Sequence, residues 1–478
     1  MGLKPKRSPA EGDFLFQIDP EPLEEQVTAL GGVPLLVRTL RSLDVPGSVK
    51  RNLSIKQRDR GYDEATYIES FVVLNAVGGD CLDDFDRLRE DPGLAGMLGH
   101  AVPSSKAAGQ FLYQFHDGRK IEQAQRELPV GGVSYIPEES DPLRGLAQVN
   151  EDLVHELGRR CPDQKIATVD LDGTIIESWK REAKVAYDGR SGYQPLLAVW
   201  AETNVVLGDE FRDGNVPGNQ NPLAVTKRAF RALPETIQER FFRGDAACYE
   251  EGVLTWLRNE KRADGPGGLI GFAVSARMNP SLREAIVATA PECWEVESED
   301  SGAIKECAQV NYFPEEAAEN RYREPLRYVA IRIRKKQQQL FADGSEVKYF
   351  AVATNLWDWK PKRLLEWHRG KAGTIEAVHD VIKNELGGGV MPSKYFGANA
   401  AWLRMAVISF NVLTAMKRLA LPAELLAARP KRLRFLIFHT PGRLIHHARQ
   451  TVLRLVRTYQ RFSNWAHALA LLPLPAMA

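Results

Sequence analysis

Apolar residues recur every three or four positions over the first quarter of the chain, the spacing of helices that bury one face. "PLLVRTLRSL" and "ATYIESFVVLNAV" carry this pattern, and "SSKAAGQFLYQF" begins with serines suited to cap a helix. The spacing predicts an all-α region over 22–118, behind a polar, Pro-rich arm over 1–21. "GGVSYIPEESDP" reads as an exposed loop and "LRGLAQVNEDLVHELGRR" as a connecting helix, so 119–164 is a linker.

The texture changes at Lys165. "KIATVDLD" is a strand, and "YQPLLAVWAET" and "VVLGDEFRDG" are two more, joined by a tight Thr203-Asn204 turn. A helix from about Pro222, the strand "RFFRGDAA", the helix "YEEGVLTWLRNEK" and the strand "GLIGFAVSA" follow. Three strands in a meander, then helix, strand, helix, strand, resemble a ribonuclease-H-like core whose first part is 165–279. From Pro280 the pattern turns β: "LRYVAIRIRKK" and "EVKYFAVAT" flank an Asp343-Gly344 turn, which predicts a β-rich insertion over 280–356. The second part of the core, 357–420, holds the helix "GTIEAVHDVIKNELGGG", with Thr374 as its cap and Gly387 to Gly389 as its stop. In the basic C-terminal region, 421–478, "RLRFLIFHTPGRLIHHARQTVLRL" reads as a hairpin leading into a last helix. The expected class is therefore α/β: a ribonuclease-H-like catalytic core with an inserted β-rich region, an all-α N-terminal domain and a helical basic C-terminal region.

Composition narrows the function classes. The 478 residues are 44% hydrophobic and 26% charged, with net charge +1, the profile of a globular protein of several domains. Charge is unevenly placed: past Gly387 the one acidic side chain is Glu424, among thirteen lysines and arginines from Lys394 to Arg461. Such a stretch is an electrostatic footprint for a polyanion. The five cysteines form no C-x-x-C pair, which excludes a zinc ribbon and a disulfide framework. The N-terminus has no apolar signal core, and no apolar run approaches a membrane span. A reduced, cytoplasmic protein without a membrane partner is expected.

The candidate chemistry begins at "VDLDGTIIES". With Val169 and Leu171 facing the core, Asp170 and Asp172 share the other face of the strand. Two carboxylates brought together at a strand end repel, and an oxygen-ligated Mg²⁺ removes that cost. The motif also matches the nucleophile motif of haloacid-dehalogenase-type phosphatases, with Asp170 as attacking group. That alternative needs a Ser or Thr strand end, a lysine and a later acidic motif in that order, and the chain supplies Ser275 and Asp245 reversed. A ribonuclease-H-like core instead asks for one acid on the first strand, one after the fourth and one on a later helix. Asp172, with Asp170 competing, Asp245 and Glu376 meet those positions, and Lys383 lies two turns beyond Glu376 on the same helix face.

These stretches, with "FRDGN", "FGANAAWLRMAVISFNVL" and the N-terminal "GGDCLDDFDRLRED…PSSKAAGQFLYQF", resemble the DDE transposases of bacterial insertion sequences. The likeness runs from about Gly31 to Leu455, and is strongest to the cut-and-paste branch with a β insertion between the second and third acids. The resemblance implies Asp172, Asp245 and Glu376 as a metal-binding triad and Lys383 as the lysine that follows the glutamate. It implies two Mg²⁺ ions, with Mn²⁺ able to substitute, that activate water or a DNA 3′-hydroxyl. The partners implied are double-stranded DNA, as terminal inverted repeats and as target, and a second copy of the chain on that DNA. The signature's tyrosine and arginine are replaced by Arg369 and Ala372, so Arg369 or Lys371 takes the phosphate contact. Trp357 and Trp359 are candidates to stack on a base, with packing as their ordinary role, and Arg332 and Arg334 in "RIRKK" are candidates to grip phosphate. An inactive DNA-binding relative would keep only the basic surfaces.

Overall fold

The computed structural model describes residues 21, 25–55, 61–299, 302–314, 325–336, 340–447, 450–456 and 467–472. The arm over 1–21 lies almost wholly outside them. Short helices come first: α1 (Val33–Ser42), α2 (Val45–Asn52), α3 (Glu64–Val77), α4 (Asp84–Arg89), α5 (Leu94–Leu98), α6 (Ser105–Tyr113) and α7 (Gly118–Arg126), followed by the long α8 (Asp141–Arg160). Side-chain oxygens of Asp63, Ser104 and Ser140 accept from first-turn amides of α3, α6 and α8, satisfying donors that a helix start leaves unpaired.

Strand β2 (Ile166–Gly173) is central in a nine-stranded sheet. On one side it pairs antiparallel with β6 (Leu196–Trp200), which turns into β7 (Val205–Glu210) through Asn204 at φ 53. Asparagine tolerates that left-handed conformation, so the tight turn read from the sequence forms. On its other side β2 pairs parallel with β8 (Glu239–Gly244), and β8 pairs parallel with β9 (Ile270–Ser275). The crossovers are α9 (Pro222–Arg231) and α10 (Glu251–Arg258).

Two expectations need correction. The region after Pro280 opens with a helix, α11 (Pro280–Val287), capped by Asn279 and carrying Pro280 in its first turn. Those are helix-start signals that the β pattern downstream outweighed. The strands that follow are β10 (Glu295–Glu299), β11 (Ala303–Val310), β12 (Arg327–Lys335) and β13 (Val347–Thr354), and they form no separate sheet. β13 pairs antiparallel with β9, Val352 opposite Ser275, so these strands extend the main sheet in the order β10-β11-β12-β13-β9-β8-β2-β6-β7. The C-terminal region is not helical throughout either. After α12 (Pro361–Glu385), α13 (Phe396–Ala420) and α14 (Pro430–Leu433), a hairpin of β14 (Gly442–His447) and β15 (Gln450–Leu455) pairs with β1 (Val27–Thr28).

Helix α13 organises the core. By length and composition it would cross a membrane, contrary to the expectation that no segment could, yet 94% of its most apolar window is buried inside the protein. It packs against α1, α3, α6, α8 and β7, so the N-terminal helices and the sheet share one buried apolar cluster. Polar groups on this helix are matched in the core. Asn411 accepts from the Val206 amide at 2.8 Å and donates to Asn150, and Asn399 holds Ser393 and Tyr193. Arg404 donates to both carboxylate oxygens of Asp209 at 2.9 Å, to Glu139 at 2.8 Å and to the Leu143 carbonyl at 2.7 Å.

Arg404 belongs to the basic stretch that suggested a polyanion footprint, and it is not alone in its use. Arg418 donates to the Glu202 and Thr203 carbonyls, Arg434 to the Ala76 and Asn75 carbonyls, and Arg429 pairs with Asp380 and Glu385. Lys417 donates to the Ala428 carbonyl, and burial brings its ammonium down to about 8. Much of the basic excess is therefore spent tying the C-terminal segment to the body.

Burial alone would raise the Glu139 carboxyl, but the guanidinium groups of Arg404 and Arg228 outweigh it and hold it at about 2. A depressed carboxyl contributes stability that is complete above its ordinary value of 4.5 and is lost as the pH falls toward 2. Arg404→Met leaves buried Asp209 without its cation and Glu139 with Arg228 alone, and should lower the unfolding free energy by about 3–5 kcal/mol at neutral pH. Urea unfolding should show that gap narrowing as the pH falls from 4.5 toward 2, because Glu139 is then protonated in both proteins.

Candidate active site

Strands β2 and β8 run parallel in a fixed register, with Asp170 opposite Arg243 and Leu171 opposite Gly244. Continuing that register by one residue sets Asp245 beside Asp172, one strand spacing of about 4.8 Å away. Asp172 is the next-to-last residue of the strand and is partly exposed. Asp245 starts the loop after β8, where its Oδ1 accepts from the Ala247 amide at 3.0 Å.

Asp170 has a different fate. It is fully buried, and Arg243 forms a two-pronged pair with it, Nε to Oδ1 at 2.6 Å and Nη2 to Oδ2 at 2.8 Å. Thr374 Oγ1 on α12 also donates to Oδ2. The remaining Arg243 nitrogen, Nη1, donates to the Trp367 carbonyl on the same helix at 2.5 Å, and the guanidinium lies over the Trp367 ring at 5.3 Å. This arrangement disposes of Asp170 as a phosphatase nucleophile: its oxygens are buried and held in hydrogen bonds to Arg243 and Thr374.

Helix α12 begins at Pro361, well before the start read at Thr374, and Thr374 is a mid-helix residue rather than a cap. Gly370 and Gly373 made the segment look like a loop. Gly370 is required by contact: a Cβ there would sit 2.6 Å from Arg243 Nη1. The guanidinium passes where a side chain would be, a close approach that only glycine permits.

From this helix Lys371 points at the acid pair. Its Nζ lies 3.0 Å from Asp172 Oδ2. Burial alone would lower its ammonium, but the charges of Asp172 and Asp245 prevail and raise it. One cation thus serves both carboxylates. Beside it, burial brings the His368 imidazole down to about 4, so the ring is neutral and donates from Nε2 to the Gly244 carbonyl at 3.1 Å. Burial, followed by the charge of Asp245, pushes the nearby Cys248 thiol up and keeps it protonated. The charged donors at this strand end are therefore carboxylate oxygens, which suit a hard cation such as Mg²⁺.

Glu376 is exposed on α12, and no hydrogen bond or ion pair holds it among the described residues. Lys383 shares its side of the helix and reaches Thr174 Oγ1 at 3.0 Å and the Ile175 carbonyl at 3.1 Å, just past Asp172. Asp172, Asp245 and Glu376 do not gather their ligand atoms within 4.8 Å of one another; among the described residues only Asp80, Cys81 and Asp84 do so.

The expected DNA contacts are differently employed. Arg369 forms a two-pronged ion pair with the buried Glu297 of β10. Arg332 and Arg334 both pair with Glu306 across β11 and β12, and Arg332 lies over the Trp294 ring at 4.1 Å. Trp359 packs on Phe241 and Trp367 beneath Arg363, while Trp357 is half exposed. The sequence reading passed over Arg243 altogether, although an arginine inside an apolar strand signals a buried partner.

The chain belongs to the transposase DDE domain group 1 family, whose model matches residues 24–475. Membership makes it a DNA-cleaving and strand-transferring enzyme of a kind that uses divalent metal ions. It is also similar to a solved structure described as a cryo-EM structure of piggyBac transposase synaptic complex with hairpin DNA. That likeness has 12% identity, a TM-score of 0.42 and coverage of 80% of this chain and 74% of that chain. No curated protein matches.

Removing either partner of the Asp170–Arg243 pair strands a buried charge. Asp170→Asn and Arg243→Met should each destabilise by about 3–5 kcal/mol. The double variant should lose much less than the sum, a coupling that a double-mutant cycle in denaturant unfolding reads directly.

Proposed function

We propose that the protein is a cut-and-paste transposase of an insertion sequence, which cleaves DNA at the element ends and joins the freed 3′ ends to target DNA. Its core is ribonuclease-H-like, a reading supported by the order β7-β6-β2-β8-β9, with β6 and β7 antiparallel on one side of the first strand and β8 then β9 parallel to it on the other. Asp172, Asp245 and Glu376 form the metal-binding triad. The observation that carries this reading is the parallel register of β2 and β8 next to Lys371, which brings two carboxylates together and meets them with a cation.

When bound, a pair of Mg²⁺ ions, or Mn²⁺ in their place, would supply the Lewis acidity that activates the attacking hydroxyl and stabilises the leaving oxygen. The chain's own residues do the rest. Asp172 and Asp245 hold fixed positions because the pair two residues before each of them, Asp170 and Arg243, locks the strands together. Glu376 completes the ligand set from α12, where it is exposed and no ion pair among the described residues holds it. Lys371 neutralises the acid pair, and were Asp172 and Asp245 to hold a metal ion, its ammonium would be available to a DNA phosphate. Lys383 fixes the turn after β2, keeping the strand end open. His368, neutral, adds no positive charge to compete with metal. Holding both element ends requires two copies of the chain, each reading a terminal inverted repeat.

Purified protein incubated with element-end DNA and Mg²⁺ should nick at the ends. Asp172→Asn, Asp245→Asn and Glu376→Gln should each slow cleavage by about 10²-fold or more while the DNA is still bound. Cleavage that persists in Asp245→Asn sinks the assigned site, and binding without cleavage in the wild type marks an inactive relative. Lys371→Met removes the competing ammonium, so Mn²⁺ titration followed by electron paramagnetic resonance should show a several-fold tighter site. Unchanged Mn²⁺ affinity would contradict the counter-ion role.

A further inference from the structure

Strand β2 does not run straight into β6. Between them the chain builds a second small sheet of β3 (Ile176–Glu177), β4 (Lys184–Val185) and β5 (Ser191–Tyr193), in the order β3-β5-β4. Both outer strands are antiparallel to β5, with Glu177 and Lys184 each opposite Gly192. They therefore run parallel to each other, about 10 Å apart at ordinary strand spacing, and the chain leaves both at the same edge. Just past that edge stand Trp179 and Tyr187, 90% and 84% exposed, the two most exposed aromatic side chains among the described residues. Tryptophan is highly buried on average, so a displayed tryptophan paired with a displayed tyrosine is informative.

This exposure does not come from a frayed loop. The Gly214 amide donates to the Gly192 carbonyl at 3.0 Å, and Asn399 of the core helix α13 donates to the Tyr193 hydroxyl at 3.2 Å. A Cβ on Gly192 would lie 2.0 Å from the Ile176 carbonyl oxygen, so the strands pack too closely for any side chain there. Lys383, on the helix of Glu376, ties down the entry at Thr174 and Ile175. The small sheet is thus a rigid extension of the strand that bears Asp172. Lys180, Arg181 and Lys184 lie on the same segment and form no salt bridge among the described residues, while Arg190 is committed to Asp188. Glu177 and Glu182 leave the local positive excess small, so the aromatic pair rather than phosphate attraction sets what binds.

We infer that Trp179 and Tyr187 form a stacking platform for unpaired bases of the DNA strand beside the reacting phosphate, with Lys180, Arg181 and Lys184 along its backbone. The inference rests on the DNA-cleaving reading above and adds a base-contacting surface to it. Base stacking on an aromatic side chain is tolerant of sequence, because every base has a π-face, and removing such a side chain typically weakens binding by about tenfold or more.

The test is fluorescence anisotropy without metal, using labelled oligo(dT) and a blunt duplex of random sequence as probes. For Trp179→Ala/Tyr187→Ala the dissociation constant for oligo(dT) should rise by about tenfold or more, with the duplex affected less than about twofold. Trp179→Phe/Tyr187→Phe should restore most of the loss. Wild-type binding to oligo(dT) that the alanine pair leaves unchanged overturns the platform and leaves the cleavage reading intact. A wild type that binds neither probe defeats both readings. If light scattering without DNA shows the alanine pair converting a dimer to a monomer, the surface is a contact between copies and the platform is overturned.

Discussion

The ion pair between Asp170 and Arg243 is the constraint on which the rest of the site depends. It joins β2 to β8, and through Thr374 and the Trp367 carbonyl it joins both strands to α12. Desolvating two charges is expensive, and such a pair is tolerable only when the geometry is good and the remaining donors are satisfied. Here both carboxylate oxygens take a guanidinium hydrogen bond, and Nη1 is engaged on the helix. The pair sits two residues before Asp172 and Asp245 on their respective strands. A slip of one residue between β2 and β8 would face Arg243 with an apolar neighbour and turn the acids to opposite faces. The register that sets the two acids side by side is thereby made costly to leave.

Charge is distributed by the same logic of local neutralisation. Asp172 and Asp245 meet Lys371, Asp209 and Glu139 meet Arg404, Glu297 meets Arg369, and Glu306 meets Arg332 and Arg334. Buried carboxylates that keep their charge need such partners. Many of the arginines that gave the sequence its basic patches are consequently structural. The Arg404 cluster is buried and has Arg228 as a second cation, whereas the one around Lys371 lies at an open strand end with a single ammonium facing two carboxylates, so negative charge is left over where a small cation can reach it.

The sequence made the core sheet legible because each strand and turn is locally specified. Alternation over "KIATVDLD", the Asn204 turn and the glycine and proline punctuation of α9 and α10 are all short-range signals. What escaped was set by contacts between residues distant in sequence. Nothing in "GGLIGFAVSA" or "EVKYFAVAT" announces that β9 and β13 pair, since apolar strands have many possible neighbours. The early start of α12 was hidden because Gly370 and Gly373 lower helix propensity, and the reason for Gly370 is an arginine more than a hundred positions upstream. The choice between Asp170 and Asp172 was illegible for the same reason: strand alternation gives both the same face, and only Arg243 on the neighbouring strand distinguishes a buried partner from an open one.

Helix α12 unites these parts, because its two halves answer to different regions of the sheet. The first half packs Trp367 on Phe241, beside Trp359 just ahead of the helix, and covers β11 to β13, and Arg369 reaches across to Glu297 on the outermost strand. The second half carries Thr374, Glu376 and Lys383 over the end of β2. Lys371 stands at the junction, two residues from the Arg369 contact and one turn from Thr374. Since β10 to β13 continue the main sheet rather than hanging from it, any displacement of the insertion must bend that sheet or rotate this helix. The strands β10 to β13 and the acid cluster are therefore joined through one sheet and one helix, with Arg369 and Lys371 two residues apart on it.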